Sequence, residues 1–303
     1  MKVVLLAGGT GAAKLAVGLQ AALPRGDLTV IANTADDRAF WGLHVSPDVD
    51  SVLFRLAGLF NEESGFGIAG DSFETLAMMR RLGEPAWFAL GDRDLAFHIL
   101  RSKLLAQGAR LTEASLELAR RLQLASRVIP MSDDPVRTWF ETERGAMEFQ
   151  EYYVRQRAEP RVTAVSYAGL EVAAPAPEAV AAVREAGLVV IGPSNPVVSV
   201  WPILHLLGPR MVPERTLAVS PTVGGQALKG PTVEMMRGLG RDPSATGVAR
   251  EYAGLAGTFV LDQTDAAEAS AIEALGYAVR LEDTVMRSAR DAERLARALI
   301  RLD

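Results

Sequence analysis

Three sets of residues in this chain have the types and spacing that chemistry on a phosphorylated ligand requires. The first is Gly8-Gly9-Thr10-Gly11-Ala12-Ala13-Lys14. Its glycines allow φ > 0 and close approach of an anion to the backbone, and Lys14 adds a mobile positive charge. The second is Gly192-Pro193-Ser194-Asn195-Pro196, where Ser194 or Asn195 can cap a helix and Pro196 suits its first position. The third is a set of aspartates: Asp36, Asp37, Asp48, Asp50, Asp92, Asp94, Asp133 and Asp134. Loop aspartates are ordinarily turn formers and caps. Asp36, Asp37, Asp48 and Asp50 stand apart because they follow a strand expected to end at a ligand crevice. Oxygen ligands beside phosphate suit Mg²⁺.

These residues need a scaffold, and the chain supplies one. Val3 to Ala7 is a short apolar, β-branched run that enters the glycine loop directly, and Lys14 to Leu23 has helical apolar spacing. A strand, a glycine loop and a helix make an anion site, because first-turn N–H groups and the helix dipole favour negative charge there. Leu28 to Ala32 reads as a second strand ending in Asn33-Thr34-Ala35-Asp36-Asp37. Two strands around one helix predict a parallel sheet with a right-handed crossover. Helices are expected over Ser51 to Phe60, Asp71 to Arg81, Leu95 to Gln107, Thr112 to Leu122, Pro177 to Glu185, Val197 to Leu207 and Val285 to Ile300. Asp92 is expected to cap the helix beginning at Asp94. Strands are expected at Val136 to Glu143, Ala146 to Arg155, Leu188 to Ile191, Thr216 to Val219, Thr258 to Leu261 and Ala278 to Leu281. The fold expected is α/β: a Rossmann-like, doubly wound, mainly parallel sheet with a smaller inserted α+β region. Residues 1–60 and 166–303 would form the core of a single domain, and 61–165 the insertion.

Composition narrows the function class. The 303 residues are 49% hydrophobic with a net charge of −5, which suits a large core and argues against a surface that coats nucleic acid. No run approaches the ~20 apolar residues of a membrane span, and the glycine loop interrupts any signal-peptide pattern. The absence of cysteine removes thiolate metal sites and cysteine nucleophiles; a cytoplasmic location is expected. His44, His98 and His205 have no partner at metal-ligand spacing, and a local pair of His98 with Asp94 is expected. No serine elbow or nucleophile triad is present. Phosphoryl-type transfer relies on positioning, metal and cationic clamps rather than a protein nucleophile.

The motifs, taken in order, resemble those of a known family. They are Gly8 to Leu15, Asn33 to Asp37, Ser46-Pro47-Asp48-Val49-Asp50, Leu90-Gly91-Asp92-Arg93-Asp94-Leu95-Ala96, Pro130 to Val136, Phe149-Gln150-Glu151, Pro193 to Pro196 and Ser220-Pro221. Together they are similar to the 2-phospho-L-lactate transferase (CofD) family of deazaflavin coenzyme F-420 biosynthesis, over nearly the whole chain. The resemblance implies a Mg²⁺-dependent transferase. It would move a 2-phospho-lactyl or phosphoenolpyruvyl unit from a guanosine diphosphate-linked donor to the terminal hydroxyl of the deazaflavin Fo, releasing GMP. It implies nucleotide binding by Gly8, Gly9, Thr10, Gly11, Lys14, Ser194, Asn195 and Pro196. It implies an acceptor contact at Asp50, catalysis by Asp50 and Asp37, and metal binding by Asp36, Asp37 and Asp48. Arg93 and Ala89 fall in the substrate-binding region, Ala89 where many relatives carry a polar or basic residue. The resemblance also implies a homodimer.

Two other readings were weighed. A non-catalytic nucleotide-sugar-binding regulator of the gluconeogenesis-factor type shares the opening Gly-Gly-Thr-Gly, but the Gly91 to Ala96, Met131 to Val136 and Phe149 to Glu151 motifs look like transferase features. An NAD-dependent oxidoreductase is disfavoured because Lys14 stands where the dinucleotide fingerprint needs a third Gly or Ala.

Overall fold

The computed structural model describes residues 1–301. Seven parallel strands form the main sheet: Val3–Ala7, Leu28–Ala32, Arg127–Pro130, Leu188–Ile191, Thr216–Val219, Thr258–Asp262 and Ala278–Glu282. Across the sheet their chain order is third, second, first, fourth, fifth, sixth, seventh. The direction of winding therefore reverses between Val3–Ala7 and Leu188–Ile191, and ligands of open α/β sheets bind at such a reversal.

The strands are apolar on both faces because helices cover both. Val3, Leu5 and Ala7 pack with Leu15, Leu19, Leu53, Leu295 and Leu299 on one side. Val4 and Leu6 pack with Ile191, Leu207, Met236 and Val248 on the other. This two-residue alternation lets one short strand serve two cores. The sheet is of the fold class expected.

Several local elements differ from the expectation. The first helix begins inside the glycine loop, at Gly9–Ala22, and not at Lys14. The second is Pro47–Leu56, so Asp48 and Asp50 lie within its first turn and not before it. The closing helix is Ala289–Ile300, started by a Ser288–Asp291 capping box. Val197 to Leu207 divides into a π-type turn, Pro196–Val200, and a helix, Trp201–Leu207. The strand expected from Ala146 to Arg155 is only Gly145–Glu148, after which Glu151–Arg155 turns as a π-helix.

The main sheet takes its edge strand Arg127–Pro130 from inside residues 61–165. Before it lie the helices Glu74–Arg81, Asp92–Ala106 and Leu111–Arg121. After it comes a small antiparallel sheet of Gly145–Glu148, Arg137–Thr142 and Val162–Ala168. The caps of the first two helices are exchanged. The Asp92 carboxylate accepts the Glu74 and Thr75 amides, each at 2.9 Å, while Asp71 accepts those of Arg93 (2.8 Å) and Asp94 (3.0 Å). Asp92 thus caps the helix before its own.

Candidate active site

A cavity of about 440 Å³ opens at the winding reversal, between the ends of Val3–Ala7 and Leu188–Ile191. Its floor is two strand-to-helix turns locked together. A Cβ on Gly11 would collide with the Pro193 carbonyl oxygen, and one on Gly192 with Ala12 and Leu6. Ser194 Oγ donates to the Gly8 carbonyl and accepts the Ala12 amide at 3.3 Å. Gly9 has φ +66°, a conformation only glycine adopts freely. Gly11 is therefore required first for this packing, and the expectation that its Cβ would chiefly obstruct phosphate is revised.

The first helical turn has four N–H groups without intrahelical partners. Asp48 Oδ1 takes that of Gly9 at 2.6 Å, and Ser194 takes that of Ala12. No side chain among the described residues takes those of Thr10 or Gly11, and both residues line the cavity. Asn195 also lines it, but its Oδ1 caps the Pro196–Val200 turn through the Val197 (2.9 Å) and Val198 (3.4 Å) amides. Lys14 lines it as well, with Nζ donating to the Met286 carbonyl at 3.2 Å.

Asp36 and Asp48 line the same cavity, and both are buried. Asp48 Oδ2 accepts from Asn33 Nδ2 at 2.9 Å, which ties it to the end of the second strand. Asp36 Oδ1 is buried with no hydrogen-bond partner. Burial, and then the neighbouring carboxylates of Asp48 and Asp37, hold the Asp36 carboxyl well above its ordinary range. Burial raises Asp48 too, against the lowering effect of its Asn33 and Gly9 bonds. Two adjacent buried carboxylates, with Asp36 Oδ1 unpartnered, fit a divalent cation held through one or two carboxylates.

Asp37 and Asp50 do not line the cavity. Asp37 Oδ1 accepts from Ser46 Oγ at 2.6 Å, and its Oδ2 lies 3.5 Å from His44 Nε2. Burial pushes the His44 imidazole down to about 4. Asp50 receives both terminal nitrogens of the fully buried Arg101 and lies 3.6 Å from His98 Nδ1. Burial alone would raise the Asp50 carboxyl, but Arg101 and then His98 outweigh it and hold it below its ordinary range. His98 Nε2 also lies 3.2 Å from Asp94, the expected local pair.

The remaining walls are apolar and aromatic. Phe149 and Tyr153 stack with ring centroids 5.5 Å apart and planes at 11°, and both line the cavity. Phe88, Ala89 and Phe66 add further apolar surface.

Comparison with known proteins gives the family. The family model described as 2-phospho-L-lactate transferase CofD matches residues 3–290. The chain belongs to the CofD family. A 2-phospho-L-lactate transferase of Methanosarcina mazei is 37% identical over 299 residues, covering 98% of this chain and 99% of that protein. A phosphoenolpyruvate transferase of Streptomyces griseus is 38% identical over 312 residues, covering 100% and 98%. Among solved structures, a UPF0052 family protein of Bacillus halodurans superposes with a TM-score of 0.61 at 18% identity, over 99% and 98% of the two chains. That likeness concerns the fold.

As a CofD family member the chain is a transferase of the 2-phospho-L-lactate and phosphoenolpyruvate class. Of the residues expected at its site, Gly8, Gly9, Thr10, Gly11, Lys14, Ser194, Asn195, Asp36, Asp48 and Ala89 meet at one cavity. Pro196, Asp37, Asp50 and Arg93 do not line it. Arg93 is on the exposed side of its helix, its amide held by Asp71. Sequence reasoning missed Ser51 and Thr232, which line this CofD cavity from helices, and Ser64, Phe66, Thr284, Met286 and Lys229, which line it from loops. It quoted Phe149, Gln150 and Ser220 only as motif residues. No metal cluster of three or more acidic or histidine ligands exists among the described residues, so Asp37 does not complete a triad with Asp36 and Asp48. No helix among them is long and apolar enough to cross a membrane.

Proposed function

We propose that this CofD member transfers a phospho-acid unit, 2-phospho-lactyl or phosphoenolpyruvyl, from a guanosine diphosphate-linked donor to the terminal hydroxyl of the deazaflavin Fo. The observation that supports this most is that a single cavity combines an amide-lined glycine turn, two buried carboxylates, of which Asp36 has an unpartnered oxygen, and a stacked aromatic pair. The Thr10 and Gly11 amides and Lys14 bind the diphosphate. The stacked Phe149 and Tyr153 rings take the planar acceptor ring system.

In the reaction the acceptor hydroxyl oxygen attacks the phosphorus that bears the acid. That P–O bond forms as the bond to GMP breaks, and GMP leaves with the electron pair. The hydroxyl proton passes to Asp36, whose buried Oδ1 has no other partner. Asp48 and the second Asp36 oxygen would hold Mg²⁺, which when bound neutralises phosphate charge in the transition state. Asp50 and Asp37 act from behind as positioning residues: Asp50 fixes the Pro47–Leu56 helix that carries Asp48, and Asp37 the turn that carries Asp36.

The test is mass spectrometry of products from Fo with each synthetic donor, with and without chelator. Formation of the Fo phospho-acid and GMP, dependent on Mg²⁺, is expected. Calorimetric binding of a nucleotide sugar or NAD but not of guanosine diphosphate would overturn the reading. A homodimer belongs to the same proposal, and sedimentation equilibrium at a monomer mass would remove it.

A further inference from the structure

Segment 222–231 forms a roof over the cavity. Thr222–Val223 and Gln226–Ala227 pair antiparallel around Gly224-Gly225, both at positive φ. The Gly224 amide donates to Asp265 Oδ2 at 3.1 Å, which pins the turn of this hairpin. Beyond the pin the chain is glycine-punctuated, and Lys229 reaches across to the opposite wall. Its Nζ donates to the Gly65 carbonyl oxygen at 3.4 Å. Gly65 leaves room for this crossing, since a Cβ there would collide with the ammonium.

The crossing leaves a charge unanswered. Lys14 and Lys229 both line the cavity, and each has only a carbonyl as hydrogen-bond partner among the described residues. Burial, then the nearby Arg55 and Lys14, weaken proton binding at Lys229. The carboxylate that acts on it among the described residues, Glu62, is engaged with Arg55. Lys229 is exposed, and its ammonium extends over a cavity whose floor already favours anions.

We infer that Lys229 is a substrate-binding residue that leaves the Gly65 carbonyl to pair with an oxyanion of the donor, drawing the 224–231 roof down onto it. This rests on the donor reading proposed above. An ammonium bonds an oxyanion more strongly than a neutral carbonyl, so the exchange favours the closed roof only when donor is present. The oxyanion belongs either to the diphosphate or to the carboxylate of the three-carbon acid.

Calorimetry of Lys229→Met and Lys229→Arg against guanosine diphosphate and the guanosine diphosphate-linked acid distinguishes these. Lys229→Met should bind at least one of them about 10- to 100-fold more weakly, the range of a charge-assisted hydrogen bond, while Lys229→Arg stays near wild type. Weakening toward both ligands assigns the diphosphate, and weakening toward the donor alone assigns the acid carboxylate. Wild-type affinity of Lys229→Met for both ligands overturns the inference while leaving the donor reading intact. Failure of the wild-type protein to bind either ligand overturns both.

Discussion

Asp36 and Asp48 share a neighbourhood with Asp37 and Asp50 but have opposite surroundings. The first pair faces the cavity, has no cation partner, and is held protonation-prone by burial. The second pair faces the interior, where Ser46 and His44 adjoin Asp37, which burial also raises, and where Arg101 and His98 receive Asp50 and hold it low. Asp36 and Asp37 are consecutive at the strand end, and one residue separates Asp48 from Asp50 on the helix. Consecutive residues point to different sides, and i,i+2 on a helix differ by about 200°. One pair of acids can therefore supply reactivity while its neighbours supply anchoring, and sequence proximity gives no guide to which is which.

The largest expected effect is on stability, behind the cavity. Arg101→Met leaves Asp50 buried without its cation and should cost about 3–5 kcal/mol in urea unfolding. A joint Arg101→Met, Asp50→Leu protein should recover much of that loss. If Arg101→Met unfolds like wild type, the pair is not an anchor.

On the cavity side the effect should move to turnover. Asp36→Asn removes a desolvated charge repelled by Asp48, so its melting temperature should stay level or rise. Its kcat should fall ~10²-fold or more, the scale for a positioned base. A stable Asp36→Asn enzyme with near-normal kcat would remove Asp36 from the chemistry. Asp50→Asn should show the reverse pattern, losing stability first.

A smaller effect separates Asp36 from Asp50 by pH, in metal-free buffer. Folding raises the Asp36 pKa, so its favourable contribution is complete below the ordinary value of 3.8 and is lost as pH rises through the folded value. Folding lowers that of Asp50, so its contribution is present above 3.8 and is lost as pH falls through the folded value. The melting-temperature advantage of Asp36→Asn should grow as pH rises from 4. The deficit of Asp50→Asn should shrink as pH drops below 3.8. Slopes of the same sign in both variants would erase the distinction.

The smallest effect lies outside the site. Asp71→Ala removes the cap of the Asp92–Ala106 helix and should cost about 1 kcal/mol, with kcat and KM for both substrates unchanged. A change in either kinetic constant would tie the capped helices to the cavity.

What could be read from the sequence follows from how local each signal was. Leu188 to Ile191 and Thr216 to Val219 announce themselves because strands buried on both faces are unbroken β-branched runs closed by Gly, Pro and Ser. The glycine turn was legible for the same reason. Val162–Ala168 was missed: it is an edge strand of a small sheet, mostly exposed, and carries no continuous apolar run. Capping partners were misassigned because Asp92 and Asp71 look like local caps and act across 20 residues or so of chain. Asp50 was expected at the acceptor site through the family resemblance, yet its side chain is spoken for by Arg101, 51 positions away. Lys229 gave no sequence signal, since only the fold brings it over Gly65.

The lock between the two strand-to-helix turns has a consequence for how the chain is made. Ala12 and Ser194 touch across 182 positions, and a ribosome adding 5–20 residues per second takes roughly 10–35 s to bridge them. Throughout that interval Val3–Ala7 exists with one side of its hydrogen-bonding ladder open, because Leu188–Ile191 has not yet been synthesised. An open, wholly apolar parallel edge is a template for wrong pairing. The nascent N-terminal half is thus the stage at which this chain most needs a chaperone, and the finished ligand cavity is also the seal that ends that exposure.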